Sequence, residues 1–236
     1  MSIISEFLLE DNFHLNEKYP NGFDMKTLKS LDNYDDRLEY VDKYLEKLGE
    51  GSSRAVYAVD EKKVLKVATG NNGIGQNEAE FRFGKKQHGS SSNTYQFTGK
   101  GYNICSRIYD CDEDYRFLEV ERAESFDSDE DEDGQALFCY ITGFEEFDDL
   151  RYALNRLNWE WGSGATIKQI HTKPEKMYVK NLPWLQELYT FTSKNRYYIP
   201  GDFARLSTYG AVMREGKPQI IIVDYGFTPS VEYNYY

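Results

Sequence analysis

The chain has 236 residues and a formal net charge of -12, with 40% hydrophobic residues and 16% aromatics, among them 20 Tyr and 14 Phe. That length suffices for one generous domain or two small lobes, and the aromatic content marks a folded protein despite a mean hydropathy of -0.71. The acidic balance excludes a broad nucleic-acid-binding surface, which needs clustered Lys and Arg, so direct nucleic-acid binding is not expected.

The three cysteines, Cys105, Cys111 and Cys139, are odd in number and lack metal-type spacing, so they read as ordinary thiols of a reducing compartment. The segment Met1 to Glu10 has no basic n-region, and no apolar run approaches the ~20 residues of a membrane span. The expectation is a cytoplasmic protein with no membrane partner.

In chain order, residues 24–47 place Met25, Leu28, Leu31, Leu38, Val41, Tyr44 and Leu45 among charges, which predicts one or two amphipathic helices bracing a following sheet. These helices close an N-terminal extension over residues 1–47. Residues 48–68 then read as a β-hairpin, Leu48-Gly49-Glu50-Gly51-Ser52-Ser53-Arg54-Ala55-Val56-Tyr57-Ala58-Val59, followed by Val64-Leu65-Lys66-Val67-Ala68. Glycines let backbone N–H groups approach phosphate oxygens, and a lysine on the adjoining strand sets a point charge on the same phosphates. Lys66 sits between Leu65 and Val67 and so points away from their face, where an unpaired ammonium would be costly to bury.

The stretch Asn71-Asn72-Gly73-Ile74-Gly75 reads as a turn-rich connector into a helix over 76–83. Glu78 and Glu80 lie too close in sequence to share a helix face, so at most one of them meets Lys66. Residues 102–110 and 115–121 predict a second hairpin around the acidic turn 110–114. The run 124–134 is dense in Asp and Glu and reads as a solvated flexible loop, with a patch for a basic partner or a nucleic-acid mimic as the alternative.

Residues 135–157 are apolar enough to begin a helical second part, interrupted at Trp159 to Gly164. Another helix is predicted over 182–195, with Pro183 in its first turn, and the C-terminal part is β-rich. His14, His88 and His171 lack companion ligands, and Trp159, Trp161 and Trp184 read as core more readily than as a ligand platform.

Two acids late in the chain can carry chemistry. Asp202 follows Pro200-Gly201, and Asp224 ends the apolar run Ile220-Ile221-Ile222-Val223 and is followed by Tyr225-Gly226. A carboxylate at a strand end beside a phosphate site suits Mg²⁺, which prefers oxygen ligands. Both acids also sit in turn signatures, Pro-Gly-Asp and Asp-Tyr-Gly.

The order of these parts over about residues 48–228 resembles the protein kinase fold, and in particular a minimal protein kinase-like protein of phage type. The resemblance implies an α+β, two-lobed architecture: an N-lobe antiparallel sheet with one helix over 48–123, an acidic loop over 124–134, and a reduced, mainly helical C-lobe over 135–236 ending in a β-hairpin. It implies ATP and Mg²⁺ as cofactors and transfer to Ser or Thr of a host or viral protein, in the host cytoplasm. By matching position, Gly49, Gly51, Ser52, Ser53 and Lys66 would hold the nucleotide, with Glu78 or Glu80 paired to Lys66 and Glu119 and Glu121 near the adenine. Asp202 would accept the substrate proton, Asp224 would bind Mg²⁺, and Ser207 or Thr208 stands where the family has a metal-binding asparagine.

Three departures point to a second expectation. Arg54 replaces the third glycine, a hydroxyl replaces that asparagine, and Pro200-Gly201 stands where His-Arg precedes the catalytic aspartate. With few residues after Gly226, no activation segment or helical substrate platform is expected either. The alternative is a catalytically inactive pseudokinase acting as a protein-binding or inhibitory module.

Overall fold

The computed structural model describes residues 19–20, 22–88, 104–126, 128–161, 182–195, 202–226, 231 and 233–234. They fall into two compact units. The first draws on the described residues within 19–88, 105–122 and 224–234, and the second on residue 104 and the described residues within 123–223. This division departs from the sequence reading, which gave Asp224 to the C-terminal part. Tyr225 explains the difference, because its hydroxyl donates to the Ser106 carbonyl at 3.3 Å and ties the Asp-Tyr-Gly segment into the first unit.

In the first unit, α1 (Met25–Ser30) and α2 (Tyr34–Tyr44) form where the apolar spacing puts them. Each starts on a side-chain cap that satisfies N–H groups left without a helical partner: Asp24 accepts from Lys26 and Thr27, and Asn33 from Asp36. The strands β1 (Glu46–Glu50), β2 (Arg54–Ala58), β3 (Lys63–Ala68), β4 (Ile108–Cys111) and β5 (Phe117–Glu121) make an antiparallel sheet in the order β1-β2-β3-β5-β4.

Between β3 and β4 runs α3 (Asn71–His88), which includes the segment 71–75 expected to be a turn. The glycine there serves proximity rather than a bend. A Cβ at Gly73 would lie 2.2 Å from the Ser53 carbonyl oxygen and 2.9 Å from Ala68, so only glycine lets the first turn of α3 approach the hairpin.

The register pairs Val56 with Lys66 and Lys66 with Leu118, and it pairs Tyr57 with Leu65 and Leu65 with Glu119. Alternation therefore sorts the sheet into two faces. Ala55, Tyr57, Leu65, Val67 and Phe117 pack on Phe23, Leu28 and Val41 from α1, α2 and the chain before them. Val56, Val64, Leu118 and Val120 pack with Phe81 of α3. Arg54 and Lys66 belong to the face turned to α3.

The second unit holds β6 (Glu124–Ser125), α4 (Glu132–Thr142), α5 (Phe147–Trp161), α6 (Pro183–Asn195), two 3-10 turns (Asp202–Ala204 and Leu206–Thr208), β7 (Tyr209–Arg214) and β8 (Lys217–Ile222). The three strands pair antiparallel in the order β6-β7-β8. Phe138 stands edge-on to Phe147 and Trp184, and the Trp184 ring nitrogen donates to the Ile220 carbonyl at 3.0 Å, so Trp184 is core. The helix α5 ends at Trp161, within the stretch Trp159 to Gly164 expected to interrupt it, and residues 162–164 lie outside the described residues.

The acidic run is also more structured than its charge implies. Asp129 accepts from the Leu206 N–H and pairs with Arg151, while Asp131 caps α4 through the Gly134 N–H. The following Glu132 and Asp133 then lie in the helix's first turn, where its dipole favours negative charge. No helix among the described residues is long and apolar enough to cross a membrane. His14 and His171 lie outside the described residues, as do the side chains of His88, Trp159 and Trp161.

Candidate functional site

The site is a chain of ion pairs on the α3 face of the first unit's sheet. Lys66 Nζ lies 2.7 Å from Glu80 Oε2, joining the middle of β3 to α3. Arg54, at the start of β2, places Nη1 at 2.7 Å from Glu80 Oε1 and Nη2 at 2.8 Å from Asp224 Oδ1. Asn77, one helical turn before Glu80, also accepts from Arg54 Nη1 at 3.4 Å and donates to the Tyr115 carbonyl. Two cations and two carboxylates thus share one network, with Glu80 held on both oxygens.

The geometry follows from the backbone. Alternation along β2 and β3 turns Arg54 and Lys66 to the same face, and the close approach permitted by Gly73 brings α3 near enough for Glu80 to reach both. A second close approach holds Asp224, because a Cβ at Gly226 would lie 2.7 Å from the Gln76 carbonyl oxygen on α3. The hairpin tip closes on Gly51 N–H donating to Arg54 O at 2.8 Å and Thr69 N–H donating to Ser53 O at 2.9 Å.

Burial shapes the protonation of these groups. Desolvation pushes the Lys66 ammonium below its ordinary value, opposed by Glu80 and assisted by the Arg54 charge. Desolvation works against the Arg54 charge as well, but Glu80 and Asp224 outweigh it and hold that guanidinium protonated. For Asp224 desolvation acts upward, and Arg54, Lys66 and the Gly226 N–H prevail and hold the carboxyl below the usual range. Its side chain is 58% exposed.

The structure brings together Lys66, Glu80 and Asp224 of the residues expected from sequence. It resolves the choice between the two glutamates, because Glu78 turns to Arg82 one turn along the helix at 2.5 Å. Glu119 and Glu121 are not brought to the cluster. Alternation sets Glu119 on the Leu65 face, where it accepts from the Tyr19 hydroxyl at 2.8 Å and meets Lys63 at 3.3 Å, and Glu121 accepts from the Arg107 N–H.

Asp202, Ser207 and Thr208 belong to the second unit, in its two 3-10 turns. Thr208 is buried and Ser207 exposed, and the Asp202 side chain lies outside the described residues. Gly49 and Gly51 keep ordinary backbone angles, and a Cβ at Gly49 would meet nothing within 4 Å, so the fold itself does not demand glycine there.

No family model matches the chain, and no curated protein matches its sequence. The residues themselves must therefore carry the reading. The sequence reading expects Mg²⁺ at Asp224. Asp224, the expected ligand, already accepts from a guanidinium, and among the described residues no three His, Cys, Asp or Glu side chains converge as a metal site. Sequence reasoning missed Arg54 as a member of the network. Its signal was an arginine opening an apolar strand in phase with Lys66.

Proposed function

We propose that this chain is a two-lobed, protein kinase-like nucleotide-binding protein. Its first unit takes the phosphates of ATP on Lys66 beneath the Gly49–Gly51 hairpin, and Glu80 fixes the Lys66 ammonium. The observation that carries this reading is the buried Lys66–Glu80 pair at 2.7 Å, joining mid-strand to the facing helix. Desolvating two ions costs several kcal/mol each, and an apolar pair of similar volume would stabilise the fold at least as well. A cluster of that kind, with perturbed protonation beside a glycine hairpin, supports a binding role.

Within this reading the substrate is a protein hydroxyl. The contact of Arg54 with Asp224 favours the second expectation, a pseudokinase that binds nucleotide and a protein partner without transferring phosphate. Thermal unfolding with ATP separates binding from its absence. At one hundred times Kd the midpoint should rise by roughly 5–10 °C for a protein of this size. Lys66→Met should abolish the rise, and an equal rise in that variant would overturn the proposal. Incubation with γ-labelled ATP and a mixed protein substrate then distinguishes kinase from pseudokinase.

A further inference from the structure

The four charged members of the network balance, two positive against two negative, but they are not equally free to leave it. The side chains of Arg54 and Lys66 are each 7% exposed and that of Glu80 is 0% exposed, whereas Asp224 is 58% exposed. A buried ion that loses its partner is strongly destabilising, while an exposed carboxylate returns to water at little cost. The guanidinium fork of Arg54 divides its two ends accordingly, Nη1 to the buried Glu80 and Nη2 to Asp224. A guanidinium edge that holds a carboxylate also fits phosphate oxygens.

We propose that Asp224 is an internal stand-in for a phosphate group. When ATP binds, a phosphate oxygen replaces the Asp224 carboxylate on Arg54, and Arg54 supplies the countercharge in place of a divalent cation. This rests on the nucleotide-binding reading above and adds to it that binding is independent of metal. It assigns Asp224 a role opposite in sign to that of a metal ligand, because removing its charge should strengthen binding.

The test is a calorimetric titration with ATP, in EDTA and in MgCl₂, of wild type, Asp224→Asn and Arg54→Gln, with folding checked by circular dichroism. Wild type should bind ATP as well in EDTA as in MgCl₂. Asp224→Asn should bind about tenfold more tightly in EDTA, the lower end expected when a competing charged hydrogen bond is removed from a half-exposed site. Arg54→Gln keeps Glu80 paired with Lys66 and should lose affinity in EDTA. Asp224→Ala, scored in the same way, replaces Asp224→Asn if the latter does not fold.

Binding that requires Mg²⁺, or affinity in the Asp224 variants that is unchanged or lost, would overturn the metal-independent role and leave the nucleotide reading standing. Absence of ATP binding in wild type and every variant, with and without Mg²⁺, would overturn both.

Discussion

The two faces of the five-stranded sheet are built to different ends. Toward α1 and α2 the face is continuous apolar packing, with Ala55, Leu65, Val67 and Phe117 all fully buried. Toward α3 the apolar patch of Val56, Val64, Leu118 and Val120 gives way to Arg54, Lys66 and Glu80, buried as well but joined as ion pairs. The first face stabilises by area removed from water. The second spends interior volume on charges whose desolvation offsets most of their attraction.

The sharpest way to break this contrast is Glu80→Ala, which removes the buried carboxylate that Lys66 and Arg54 share. We expect a loss of about 4 kcal/mol, read by urea unfolding, together with loss of ATP binding. Lys66→Met should cost markedly less, because Arg54 still satisfies Glu80. On the apolar face, Leu65→Ala should cost about 3 kcal/mol while leaving ATP affinity within twofold, since its side chain points away from the network.

Gly73→Ala should come next, at about 2 kcal/mol, because a methyl group there collides with the Ser53 carbonyl and pushes α3 from the sheet, weakening binding as well. The smallest stability effect should be Gly49→Ala, within about 0.5 kcal/mol, with any change confined to nucleotide affinity.

A pH series sharpens the same comparison away from the site. Desolvation raises the Asp112 carboxyl, but hydrogen bonds and charge from Arg116 prevail and hold it below its ordinary 3.8. A carboxyl lowered in the folded state contributes its full stability above the unfolded value and loses it as pH falls toward the folded one. Wild type should therefore lose stability progressively below about pH 4, and Asp112→Asn should flatten that part of the curve in acid unfolding monitored by circular dichroism.

Much of the first unit is legible in the sequence because its signals are periodic. Strand alternation alone places Lys66 on the face opposite Leu65, and the apolar spacing of Met25, Leu28 and Val41 places the bracing helices. What is not legible depends on register and on close approach. Arg54 joins the network because Val56 pairs with Lys66, a fact of pairing rather than of composition.

Gly73 looks like a turn residue until the Ser53 carbonyl is found where its side chain would be. Glu78 and Glu80 are indistinguishable until the rotation of α3 is known, and the face that Glu119 takes depends on register, because a one-residue step in a strand sends a side chain to the other face. The acidic run reads as solvent-facing because its charge is local while its partners, Arg151 and Leu206, are distant in sequence.

The most direct test of the nucleotide site is ATP titration by calorimetry of wild type beside Lys66→Met, with both shown to be folded. The account predicts saturable binding in wild type that disappears in the variant. Binding of equal affinity in both, or heat of dilution alone in wild type, would contradict it.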